Sequence, residues 1–301
     1  MLLWVECYVL PDETRSHRSP AQGDKILVMP HRSSACWPAS LLALCILFAW
    51  LPAKSQTPPA EKPPAADSST PSHPVLVELF TSEGCSSCPP ADVFLKKIDG
   101  FEPAPGVRLI VLSEHVTYWD HDGWKDPNSS QALTDRQAAY ETALGEKESF
   151  TPQLIVDGTA QLRLLSDPQS MDGVLQKAAA DRKIPLRLSD VSLDPSDPAR
   201  LRLHLDADAA PDNTDVYVAV ALDHVESHVL KGENGGKHLE HVAVVEQLTK
   251  VGKLAKGKSF SQDVQLKLKP GTDPRNLRIV AFLQEPGPGK LLGAVQVKPS
   301  I

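Results

Sequence analysis

Beyond residue 55 the 301-residue chain has two cysteines and no more, Cys85 and Cys88, while Cys7, Cys36 and Cys45 lie in or before an apolar stretch near the N-terminus. With no second pair, a structural zinc site is poorly supplied. Basic blocks are lacking too. Lys and Arg number 31 against 38 Asp and Glu, a formal net charge of -7 with no basic stripe, which argues against nucleic acid as a partner. The longest apolar run, Ala39 to Trp50, is shorter than the roughly 20 residues needed to cross a bilayer. No permanent membrane span is therefore expected after processing.

That run has the form of a secretion signal, with His31-Arg32 before it and Leu51-Pro52-Ala53-Lys54-Ser55 after it. Cleavage near Ala53 or Ser55 and export to the periplasm or the cell exterior are expected. Cys45 follows Leu42-Ala43-Leu44, without the small residue that lipid attachment calls for just before the cysteine. Because a signal's n-region is short and basic, translation is expected to begin at Met29. Residues 1–55 are thus leader. Residues 56–74 are rich in Pro, Ala, Ser and Thr and bury too little surface to offset chain entropy, so they read as a disordered tether.

From Val75 the pattern becomes globular. An apolar strand to Phe80 leads into Gly84-Cys85-Ser86-Ser87-Cys88-Pro89-Pro90, and Ala91, Phe94, Leu95 and Ile98 then share a helix face that Asp99-Gly100 ends. A second apolar strand at Val107–Leu112 implies a parallel pair with a right-handed crossover. The irregular stretch Ser113 to Ser130 reads as an insertion near the cysteines. Thr134-Asp135-Arg136-Gln137 has the form of a capping box for a helix that Gly145 stops. Asp157-Gly158 signals a hairpin between Gln153–Val156 and a strand beginning at Thr159, and a closing helix follows over 171–181. After Pro185 the period changes to two, as in Leu201, Leu203, Leu205 and in Val264, Leu266, Leu268. Residues 185–301 are therefore expected to form an antiparallel sandwich or barrel.

The run Glu78 to Asp92 closely resembles an uncharacterised family of secreted bacterial thioredoxin-like proteins, known as domain of unknown function, twelve twenty-three. The resemblance continues through His115, Tyr118-Trp119-Asp120, Trp124, Asp126, Arg136-Gln137, Thr151-Pro152-Gln153 and Val156-Asp157-Gly158, and returns at Gly232-Glu233-Asn234 and His241. It departs at Glu83, where the family usually has Gln, at Val116-Thr117 and at His238. It implies an α/β thioredoxin-like domain over 75–184 followed by a β-sandwich-like domain over 185–301, α+β overall. It also implies that Pro152 is cis and, with Thr151, shapes a groove for an extended substrate.

Chemistry is expected at the cysteine pair. A Cys at a helix start meets free N–H groups and the positive end of the dipole, so Cys85 is expected to be an exposed thiolate that attacks, with Cys88 resolving the mixed disulfide. Glu83 would oppose that by charge repulsion. Thiol–disulfide exchange with protein thiols and disulfides, needing no cofactor, is the leading reading. A structural disulfide and a copper(I) site on Cys85 and Cys88 are the alternatives. His115, Asp120 and His121 either line the cysteine cleft or hold the insertion in place, and His115 could shuttle a proton to Cys88. His224, His228, His238 and His241 flank the glycine-rich loop 231–236, where surface roles outweigh metal binding.

Overall fold

The computed structural model describes residues 73–162 and 170–299, so the expectations for the leader, Met29 and the tether lie outside the described residues. Strand β1 (His73–Thr81) is apolar along nearly its whole length because both its faces are covered. Helix α1 (Pro89–Ile98) returns the chain to β2 (Val107–His115), which pairs with β1 in parallel from His73↔Val107 to Thr81↔His115. A single 3-10 turn at Thr117–Trp119 interrupts the following loop, and α2 (Gln131–Leu144) comes next. Ser130, not Thr134, caps α2, its side chain accepting from the Leu133 N–H; the apparent capping box lies one turn inside the helix. Gly145 ends α2 at φ 74°. Then β3 (Gln153–Val156) runs antiparallel to β1 and turns through Asp157 and Gly158, both at positive φ, into β4 (Ala160–Leu162).

After α3 (Ser170–Ala180) the chain is all strand: β5 (Leu186–Asp194), β6 (Asp197–Ala207), β7 (Thr214–His228), β8 (His238–Leu254), β9 (Phe260–Lys267), β10 (Leu277–Gln284) and β11 (Leu291–Val297). Two sheets result, one ordered β11-β10-β7-β8-β2-β1-β3-β4 and a smaller one ordered β5-β6-β9. The fold is mixed α+β, dominated by sheet, with three α-helices among the described residues. The alternating leucines of β6 and β9 pack on Val216, Val218, Val220, Ile279 and Leu283 of β7 and β10 in one apolar cluster. The larger sheet crosses residue 185 without a break, because β8 lies beside β2, bridged at Ser113↔Val244. The described residues fall in one compact unit.

Strand β8 is the longest element among the described residues and was not anticipated. Its first part lacks a clean period of two, and Ala243 sits at φ 52°, which interrupts the alternation. Together β7 and β8 make a hairpin that reaches past the sheet to the end of β1, where the cysteines lie.

Candidate functional site: a covered disulfide over a buried polar cluster

Beyond β1 the backbone turns tightly, Cys85 N–H donating to Ser82 O and Cys88 N–H to Cys85 O, each at 3.2 Å. A disulfide joins Cys85 to Cys88. Helix α1 starts after this turn rather than at Cys85: Pro89 and Pro90 fill its first positions and Cys88 is the N-cap. Proline, lacking an N–H and held near the helical φ, fits a first turn and little else in a helix, so the two prolines set the start. The expected helix-start thiolate at Cys85 is thereby corrected. Its expected exposure is corrected too, since both cysteines are fully buried.

What covers them comes from the β7–β8 hairpin. Asn234 Nδ2 donates to the backbone carbonyls of Glu83 (2.8 Å) and Cys85 (2.9 Å), and the Glu233 carboxylate accepts the Ser86 N–H at 3.0 Å. Lys237 Nζ holds Asn234 Oδ1 in turn. On the other flank, a Cβ on Gly84 would lie 2.6 Å from the Trp119 carbonyl oxygen, so no larger residue fits there. The Trp119 indole N–H donates to Thr151 Oγ1 at 2.7 Å, and the Thr151–Pro152 bond is cis. Ser86 and Ser87 remain exposed, and Ser87 Oγ lies 3.3 Å from Cys85 Sγ.

Behind the turn is a cluster of titratable side chains from three elements and two loops. Glu83, Asp92 of α1, His115 of β2, Asp126 and His241 of β8 are each at most 5% exposed. His115 Nδ1 lies 2.7 Å from Asp126 Oδ2, which also accepts the Glu83 N–H at 2.9 Å. The Glu83 carboxylate accepts from Trp124 Nε1 (3.0 Å) and Asn128 Nδ2 (3.3 Å). His241 stands between two acids, with Nε2 3.7 Å from Glu83 Oε1 and Nδ1 3.7 Å from Asp92 Oδ1. Its ring meets that of His115 edge to face at 4.8 Å. Thr81 Oγ1 donates to Asp92 Oδ1, while Asp92 Oδ2, His115 Nε2 and both His241 nitrogens make no hydrogen bond.

Burial alone would raise the Asp126 pKa, but the charge and hydrogen bond of His115 and the Glu83 and Asn128 amides bring it down to about 2. His115 shows the converse: burial lowers its pKa, and the charge and hydrogen bond of Asp126, with the charges of Asp92 and Glu83, outweigh that for a net rise. The two form a buried ion pair. Glu83 goes up, first through burial and then through the Asp126 charge. That shift favours the neutral acid over the carboxylate relative to an exposed glutamate, and so weakens the repulsion expected of Glu83 beside the cysteines.

Of the residues singled out from sequence, the structure brings together Cys85, Cys88, Glu83, His115 and His241, with Thr151 and Pro152 joined to them through Trp119; the surface role expected of His241 is corrected, since it is buried against Glu83 and Asp92. Asp120 instead holds the insertion, accepting from Asp126 N–H and Ser129 Oγ, and His121 is a surface residue stacked on Trp119. Asp92, Asp126 and Asn128 were given no role from sequence. Asp92 and Asp126 fall within the motif matches, which was the available signal. Among the described residues no three His, Cys, Asp or Glu side chains are gathered around one point as metal ligands.

A family model described as "Protein of unknown function (DUF1223)" matches residues 76–284. Among solved structures, the chain is similar to the X-ray crystal structure of a protein from Agrobacterium tumefaciens, at 25% identity and a TM-score of 0.57, covering 75% of this chain and 96% of that one. It also matches a domain of the outer membrane lipoprotein Omp28 from Porphyromonas gingivalis, at 18% identity and a TM-score of 0.26, over 39% of this chain and 88% of that one. None of the curated proteins matches.

Proposed function

The chain belongs to the DUF1223 family of proteins of unknown function, and on that premise we propose that it is an exported thiol–disulfide exchange protein whose reactive pair is kept oxidised under a movable cover. A thioredoxin-like reading of residues 73–180 is supported by the β1-α1-β2 crossover, the sheet order β2-β1-β3-β4, the closing helix α3 and the cis-proline before β3. A sandwich-like reading of the C-terminal strands is supported by the core that β5, β6 and β9 share with β7 and β10.

The observation that carries the function is the setting of the disulfide: at the mouth of α1, over a buried set of proton-holding side chains, with an exposed Ser86-Ser87 spacer beside the Cys85 sulfur. A purely structural crosslink has no need of that polar cluster, since a buried polar atom without a partner costs about 1–3 kcal/mol. Exchange starts when the 229–237 loop lifts and a partner thiolate attacks Cys85 Sγ. The S–S bond breaks, and Cys88 leaves as thiolate at the helix N-terminus, where the dipole and free N–H groups favour the anion. A second partner thiol then attacks its own bridging sulfur and releases Cys85, so the partner dithiol is oxidised and this pair reduced. Run in reverse, Cys85 attacks a partner disulfide and Cys88 resolves.

In that sequence each thiolate that leaves takes up a proton to end as a thiol. The buried Glu83–His241–Asp92 row lies behind the turn, with Nε2 and Nδ1 of His241 each 3.7 Å from a carboxylate oxygen. The test is turnover. The mature chain should exchange disulfides with a reduced dithiol protein, and Cys85→Ser should abolish this, while Cys88→Ser given a partner protein in its disulfide form should trap a mixed disulfide through Cys85. A pair that opens only on denaturation, with no turnover by any dithiol protein, would overturn the proposal in favour of a structural crosslink.

A further inference from the structure

We infer that the outer face of the β7–β8 hairpin is a binding site for a divalent transition-metal ion, held by His224, Glu226 and His238. The register pairs His224 with Val242, Glu226 with Glu240 and His228 with His238. Directly opposed residues of antiparallel strands share a face, as do residues two apart along one strand. Three histidines and two glutamates therefore stand together on this face, opposite the face that carries the buried His241.

Their contacts are already convergent. His224 Nε2 lies 3.0 Å from Glu226 Oε1 and His238 Nε2 lies 3.3 Å from Glu226 Oε2, so two imidazoles from two strands address one carboxylate. With metal–nitrogen and metal–oxygen bonds near 2.0–2.2 Å, ligand atoms around a tetrahedral ion sit about 3.4 Å apart. The observed separations come close to that spacing without being set around one point. An arriving ion replaces the two hydrogen bonds, each Nε2 turning its lone pair to the metal while the ring proton moves to Nδ1. All three side chains are between 41% and 55% exposed, so their rotamers can adjust.

The supporting frame is built. The backbone of His224 is fixed at both ends by Asn276, whose Oδ1 accepts the His224 N–H at 3.0 Å and whose Nδ2 donates to its carbonyl at 2.8 Å. His228 packs edge to face on His238, ring centres 4.4 Å apart, which limits that imidazole's rotation. Glu240 is held aside by Lys96 of α1. Two histidines and a carboxylate leave coordination positions open to water or to a partner's ligand, and imidazole with carboxylate suits zinc or copper(II) rather than a hard alkaline-earth ion.

The test uses the full mature chain without an affinity tag and with its disulfide intact, so that no thiolate competes. Calorimetric titration with zinc should show one ion per chain. His224→Ala and His238→Ala should each weaken binding by more than the roughly tenfold that loss of a supporting residue costs, and the double variant should abolish it. Glu226→Gln should weaken it while leaving the surface otherwise intact, and His204→Ala, a half-buried histidine on β6, should change nothing. Absence of zinc uptake, or one-ion binding that survives the His224→Ala/His238→Ala change, would overturn the assignment. Neither outcome touches the cysteine chemistry.

Discussion

Asp126 is the residue on which the polar cluster turns, since it alone meets both His115 and the Glu83 backbone. Its folded pKa of about 2 lies below the ordinary value of 3.8, so its stabilisation is complete above about pH 4 and is lost as the pH falls through about 2. Asp126→Asn should cost about 3 kcal/mol at neutral pH, because it leaves the buried His115 without its counter-charge. Urea unfolding should show the acid limb of the wild-type stability curve flattened in the variant. Glu114 has the opposite sign. Burial, with the nearby Glu78 charge adding to it, pushes its pKa well up from 4.5, and neither of its oxygens has a hydrogen bond. Its contribution is complete below that ordinary value and lost as the pH rises through the raised one.

Among the described residues, Arg136 is the one cation paired with Glu78 and Glu114. Arg136 donates through Nε to Glu78 at 2.7 Å and stays 3.6 Å from Glu114, with the rings of Tyr140, Tyr217 and Phe282 around its guanidinium. Glu114→Gln should therefore be neutral or stabilising by about 1 kcal/mol, and should remove part of the decline in stability with rising pH. Glu78→Gln should cost about 3 kcal/mol, since it strips the buried guanidinium of its partner. Denaturant midpoints for the two variants, measured on either side of neutrality, decide this.

At the scale of elements, the hairpin loop 229–237 controls access to the disulfide. Asn234→Ala deletes the two hydrogen bonds to the Glu83 and Cys85 carbonyls, each worth about 1 kcal/mol. The rate of reduction by a small dithiol should rise about tenfold or more, read by thiol labelling against time. An unchanged rate would mean that the loop is not the barrier. This cover shows where sequence reading stopped. The strand–helix–strand start, the cysteine turn, the Asp157-Gly158 hairpin and the alternating strands of β6 and β9 were legible because local period and turn chemistry fixed them. Pro89-Pro90 fit the first turn of α1, but Cys85 was placed at the helix start one turn too early, and the cap of α2 was missed by one turn because Ser130 lies just outside a plausible capping box. Strand β8 and the burial of Cys85 were illegible for a different reason. Both depend on a hairpin some 150 residues away in sequence folding back on the turn, as the Asn234–Cys85 bond records.

For the whole molecule, the question is whether the segments on either side of residue 185 can unfold separately. The sheet joins them through β8 and β2, and one apolar cluster draws on Leu76, Ile110, Leu112 and Leu133 from the first segment and Ala219, Val245, Val280 and Phe282 from the second. Arg278 of β10 adds a clamp, with Nη1 and Nη2 each 2.7 Å from the Asp99 carboxylate just past the end of α1 and Nε 2.9 Å from Asp223. Separation would expose that cluster and strand a buried guanidinium, so a single cooperative transition is expected. Trp119 and Trp124 report the cysteine end, while far-UV circular dichroism is weighted toward the strands of both sheets. The two thermal curves should coincide, and Arg278→Ala should shift them down together, by the equivalent of about 3 kcal/mol. Tryptophan fluorescence melting first, with most of the sheet signal retained, would instead mean that the cysteine-bearing half is an independent unit and that the shared cluster contributes little to holding the halves together.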